Sequence, residues 1–133
     1  MIIQRDVQPQ IEEKLFQGKV IVVYGPRRVG KTTLVRAILE KFPVEDTRYL
    51  SCDEPDVRRA LTDKTSTELI AYLGKKKLIV LDEAQRVRNI GLTLKLLVDT
   101  APTIQIIATG SSSFDLSNKI IEPLTGRTYE FFV

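Results

Sequence analysis

The eight residues Gly25-Pro26-Arg27-Arg28-Val29-Gly30-Lys31-Thr32 constrain this chain more than any other stretch. Before them lies a run that is apolar at nearly every position, residues 19–24. After them Leu34, Ile38 and Phe42 recur every fourth position until Pro43. The first pattern suits a strand covered on both faces, and the second suits a helix over about residues 30–41. Gly25 and Gly30 permit backbone conformations and close approaches that a Cβ would block. The turned backbone then points its N–H groups inward as an anion nest, at the positive end of the helix that follows. Lys31 adds a point charge and Thr32 a hard hydroxyl oxygen for a divalent cation. The pattern GxxxxGK[ST] in this strand–loop–helix setting predicts a cradle for the phosphates of a nucleoside triphosphate, built from Gly25, Pro26, Arg27, Arg28, Val29, Gly30, Lys31, Thr32 and Thr33.

A second apolar run, Leu78-Ile79-Val80-Leu81, delivers Asp82 and Glu83 at its end. A carboxylate so placed suits an Mg²⁺ site together with Thr32, and its neighbour Glu83 suits the acceptor of a proton from an attacking water. Between Lys31 and Asp82 the chain has room for a helix, a strand at 48–52 and further helix over 54–74. An extra strand between the phosphate-loop strand and the acidic one, with the extra glutamate, is typical of ATPases. Asn118-Lys119-Ile120-Ile121 has Ile where a guanine-reading NKxD element carries Asp. ATP is therefore the expected nucleotide.

Two later positions add candidates. The strand at 103–109 ends in Thr109-Gly110-Ser111, where either hydroxyl, Thr109 or Ser111, could bond the γ-phosphate or orient the water. Arg127 precedes a last strand at 128–133, and in a neighbouring subunit such an arginine could neutralise developing charge. The same residues also suit blander roles, a helix-capping turn for Ser111 and a surface flank for Arg127.

Composition removes other chemistries. With 133 residues, 43% hydrophobic and 28% charged, the chain is one ordinary globular domain. It contains no histidine and one cysteine, Cys52. Histidine-base hydrolysis and internal disulfides are therefore excluded, and a zinc site has no ligand set to draw on. No apolar run approaches the ~20 residues of a membrane span, and the opening residues do not read as a signal peptide, so a cytoplasmic location is expected. Twenty basic against 17 acidic side chains give a net charge of +3, too balanced to imply nucleic acid by itself. Lys75-Lys76-Lys77, Arg58-Arg59, Arg86 and Arg88 read as solvated faces, with Arg86 and Arg88 near enough to the acidic strand end to meet a partner. Alternating strands and helices predict a three-layer α/β sandwich with a parallel sheet. Helix is expected over 90–100, helix or irregular chain over 112–121, and an N-cap at Ser66 or Thr67 ahead of Gly74.

Taken in order, GPRRVGKTTL, LIVLDEAQ, IIATGSSS and PLTGRTYEF resemble an AAA+-type ATPase domain of a prokaryotic family known simply as "AAA domain". The resemblance runs from about Val20 to Val133. It implies a P-loop NTPase fold of α/β/α layers with a five-stranded parallel sheet in the order 5-1-4-3-2. It also implies hydrolysis of Mg²⁺-ATP, Thr109 or Ser111 as the sensor residue, and Ile3 and Arg5 near the adenine. Members continue into a helical lid and a C-terminal domain, so residues 1–133 are expected to be the ATPase core without its lid. An uncovered edge strand at 129–133 would then favour self-association. Two alternatives stand beside the ATPase: a nucleotide-gated interaction module that hydrolyses little on its own, and a module associated with DNA.

Overall fold

The computed structural model describes residues 2–26, 30–111, 119 and 123–133. Five parallel strands form the sheet: β1 (Val20–Tyr24), β2 (Thr47–Ser51), β3 (Leu78–Asp82), β4 (Gln105–Gly110) and β5 (Thr128–Phe132). Their order is β2-β3-β4-β1-β5, the expected order read from the other edge. In register, Val80 sits between Tyr49 and Ile107, Val22 faces Ala108, and Val20 faces Thr128. β1, β3 and β4 are buried at every residue, whereas β2 and β5 are mostly half-buried. This matches the sequence, because the central strands are apolar nearly throughout and the edge strands carry Arg48 and Glu130.

Successive strand residues point to opposite faces, so the sheet feeds two cores. On one face Val22, Ile79, Leu81 and Ala108 meet α3 (Pro55–Leu61), α4 (Ser66–Leu73) and α5 (Ile90–Thr100) through Leu61, Leu69, Leu73, Leu94 and Leu97. On the other face Ile21, Val23, Val80 and Ile107 meet α1 (Ile2–Glu13) and α2 (Lys31–Leu39) through Ile11, Leu34, Val35 and Ile38. Helix, sheet and helix make the three layers.

Several boundaries differ from the sequence expectation for identifiable reasons. The stretch 54–74 splits into α3 and α4, with Thr65 as the N-cap of α4 instead of Ser66 or Thr67. Its hydroxyl accepts from the Glu68 N–H while the Glu68 carboxylate accepts from the Thr65 N–H, a capping box. Gly74 ends α4 as expected, at a φ of 79°. β4 starts at Gln105, two residues later than the apolar pattern suggests. The helix α1 has no counterpart in the sequence reading, because Pro9 inside it obscures the helical pattern. Apart from Lys119, residues 112–118 and 120–122 fall outside the described residues, and with them most of the stretch expected as helix or irregular chain.

Candidate active site

All five strands run the same way, so their carboxyl ends share one edge of the sheet, and Gly25, Lys31, Thr32, Asp82, Glu83, Thr109 and Ser111 gather there. The Gly25 N–H donates to the Gly110 carbonyl at 3.1 Å and closes the seam between β1 and β4. Gly30 has a φ of 83° and caps α2 without a side-chain bond. A Cβ would be strained at that angle, and the first turn of a helix leaves amide N–H groups without intrahelical acceptors. Lys31 begins α2 only 1% exposed. Its Nζ lies 3.4 Å from Glu83 Oε2 and 3.5 Å from the Pro26 carbonyl. Thr33 is exposed on the same first turn, and Arg27, Arg28 and Val29 lie outside the described residues.

Asp82 ends β3 and is 4% exposed, yet among the described residues no cation pairs with it. Hydroxyls satisfy it instead. Thr32 Oγ1 donates to Oδ2 at 2.8 Å, the Tyr49 hydroxyl donates to the same oxygen, and Thr109 Oγ1 donates to Oδ1. A buried carboxylate ringed by neutral hydroxyl donors beside a second hard oxygen suits a cation that retains water and phosphate ligands, as Mg²⁺ does. Thr32 and Asp82 are thus the residues able to hold it, and the described residues contain no rival cluster of carboxylate, cysteine or histidine ligands.

Glu83 follows at a φ of 58°, a left-handed conformation that is uncommon for a non-glycine residue. The turn aims its side chain back toward Lys31, and its N–H donates to Thr109 Oγ1 at 3.0 Å. Gln85 Nε2 donates to Glu83 Oε1 at 2.8 Å and to Ser111 Oγ at 3.1 Å. Thr109 therefore touches Asp82 directly, whereas Ser111 reaches Glu83 through Gln85.

Sequence reasoning missed Tyr49 and Gln85. The phenol of Tyr49 is pushed up to about 12, first by burial and then by its hydrogen bond to Asp82, so it stays protonated and donates. Arg127 is not brought to this edge. It flanks the amino end of β1, where its carbonyl accepts from the Val20 N–H, and its guanidinium pairs with Asp99. Ile3 and Arg5 belong to the first turns of α1. Arg58, Arg59, Arg86 and Arg88 line one open cleft of about 340 Å³ beside the ends of β2 and β3. Three of them pair with Asp56, Asp53 and Asp63.

A parallel five-stranded sheet with the glycine loop on its β1–α2 turn and an acid at the end of β3 defines a P-loop ATPase-type domain. The family model described as "AAA domain" matches residues 17–133, and the chain belongs to that family. Among curated proteins, it is 33% identical over 128 residues to the uncharacterised protein Rv2008c of Mycobacterium tuberculosis, covering 96% of this chain and 27% of that protein. It is 34% identical over 128 residues to MJ1544 of Methanocaldococcus jannaschii, covering 95% and 28%. The chain thus spans about a quarter of the length of these relatives. Among solved structures it is similar to the Walker-type ATPase PABY2304 of Pyrococcus abyssi, with a TM-score of 0.70 and 21% identity over 100% of this chain and 53% of that one. A DNA replication initiation factor matches with a TM-score of 0.60 and 19% identity, over 98% and 46%. At such identities the structural likeness speaks for the fold alone. No described helix is long and apolar enough to cross a membrane.

Proposed function

We propose that residues 1–133 form the core of an ATPase that binds ATP with Mg²⁺ and hydrolyses it. The observation that carries this reading is the pairing of Thr32 with Asp82 at 2.8 Å beside the Lys31–Glu83 contact at 3.4 Å. One cluster supplies a hard-oxygen cation site, a phosphate-binding ammonium and a carboxylate base. The amides of the loop and the first turn of α2 hold the phosphates, while Lys31 neutralises charge on the β and γ groups. Mg²⁺, when bound, offsets the charge that develops on the phosphate oxygens. Glu83 accepts the proton of the water that attacks the γ-phosphorus, and Thr109 keeps Asp82 and the Glu83 backbone in register. Catalysis is then positioning and charge neutralisation.

A second reading, a module that binds ATP but turns it over slowly, draws on Glu83 itself. Both of its oxygens already accept, Oε1 from Gln85 and Oε2 from Lys31, so two of its four lone-pair sites are taken before a water arrives. The Glu83→Gln variant tests both readings. It is expected to bind a fluorescent ATP analogue like the parent while steady-state phosphate release falls by at least about 100-fold. Equal turnover in parent and variant removes Glu83 from the mechanism, and a parent with no multiple turnovers favours the binding module. The partner proposed for this domain is a second copy of the chain, paired along the open β5 edge, and its location is proposed to be the cytoplasm.

A further inference from the structure

We propose that Tyr49 is a positioning residue for Asp82, braced by Arg36, and that it sets the carboxylate orientation in which Asp82 and Thr32 receive Mg²⁺. The inference rests on the ATPase reading of the same site and adds to it two residues that lie outside both motifs. Tyr49 faces Val80 across the β2–β3 pair, and Ser51 faces Asp82. The phenol must therefore reach two residues along the strand, about 6.6 Å, which is the length of a tyrosine side chain. At the far end its hydroxyl donates to Asp82 Oδ2, the oxygen that also accepts from Thr32.

The three hydroxyls on Asp82 are not equivalent. Thr109 Oγ1 also accepts from the Glu83 N–H, so it ties Asp82 to the base. Thr32 must offer its lone pairs to the cation. Tyr49 then fixes the Oδ2 side of the carboxylate as Thr109 fixes the Oδ1 side, and as a neutral donor it places no opposing charge beside the ion. A lysine or arginine in its place would form an ion pair and compete with the cation.

The brace comes from the nucleotide-binding helix. Arg36 lies one turn after Thr32 on α2, so both project from the same helical face. The Arg36 guanidinium sits 4.0 Å from the centroid of the Tyr49 ring, a cation–π contact. The chain from Thr32 through Asp82, Tyr49 and Arg36 back to α2 is closed. A shift of α2 on nucleotide binding therefore reaches Asp82 by two routes.

The test measures metal binding directly. Mn²⁺ serves as the probe, with free ion read by electron paramagnetic resonance in the presence of saturating ADP, on the full chain and on Tyr49→Phe. The variant is expected to need about tenfold more Mn²⁺ for half-saturation, the usual effect of removing a group that orients a metal ligand. Its affinity for a fluorescent ADP analogue in EDTA is expected to stay within about twofold of the parent. An unchanged Mn²⁺ half-saturation in folded Tyr49→Phe overturns the proposal, even if the melting temperature falls, because a purely structural tyrosine would behave that way. Should Tyr49→Phe not fold, Arg36→Gln decides: a smaller shift in the same direction supports the brace, and no shift overturns it. A parent that binds ADP but shows no change on Tyr49→Phe removes only Tyr49, whereas a parent that binds neither ADP nor Mn²⁺ removes the ATPase reading as well.

Discussion

At the scale of single residues, Asp82 is surrounded by hydroxyls while Lys31 is engaged by Glu83. Lys31, Asp82 and Glu83 are all almost fully buried, and burying a charge is expensive unless hydrogen bonds or an opposite charge offset it. Lys31 and Glu83 offset one another, and Asp82 relies on three hydroxyls. Gly25, Lys31, Thr32, Asp82 and Glu83 could be picked out from sequence because each belongs to a short local pattern. Tyr49 and Gln85 could not, since a tyrosine in a strand and a glutamine after DEA carry no local mark of what they touch. Cys52 shows the same burial acting on a group without a partner role. Burial, helped by Asp82 and Asp53, pushes its thiol from 9.0 up to about 12. The unfolded chain then loses the proton first, so Cys52 adds stability below pH 9 that disappears as pH rises toward 12. Urea midpoints of the parent and Cys52→Ala, measured from pH 8 to 11, are expected to show a steeper decline in the parent above pH 9. Parallel curves would contradict this.

At the scale of elements, the helices and strands with one strong pattern were legible. α5 lies where the apolar spacing puts it, and Gly91 in that helix has a reason visible only in the packing: a Cβ there would meet the Lys119 carbonyl oxygen at 2.2 Å. α1 was hidden by Pro9, and the N-cap of α4 moved to Thr65 because Glu68 completes the reciprocal bonds there. β5 is the element with a consequence for assembly. It pairs with β1 on one side, and Phe132 is 62% exposed on this edge strand while stacking on Tyr24 at a centroid distance of 4.9 Å. Among the described residues no strand pairs with its other side, and an edge row of backbone groups beside exposed aromatic surface invites a second strand. Light scattering is expected to give a mass that rises with concentration toward a dimer, and Phe132→Lys to hold it at the monomer. A concentration-independent monomer mass for the parent would rule out pairing along this edge.

At the scale of the whole molecule, ligand binding and folding are one equilibrium. A nucleotide that binds only the folded chain raises its unfolding free energy, by about 2.7 kcal/mol when free ligand is 100 times its dissociation constant. Thermal unfolding of the parent is expected to shift upward with ATP and Mg²⁺, and Lys31→Ala to lose most of that shift. An equal shift in Lys31→Ala would show that the ammonium does not hold the phosphates. By itself the sequence determined the layered α/β class, the glycine loop and the acidic strand end. Those depend on periodicity and on backbone geometry within a few consecutive residues, and such local terms are written in the chain. The tertiary structure alone decided that Tyr49 reaches Asp82, that Gln85 joins Ser111 to Glu83, and that Arg127 lies at the far edge of the sheet beside Asp99. These facts depend on strand order and register, which arise from packing two cores against one sheet and bring together residues far apart along the chain.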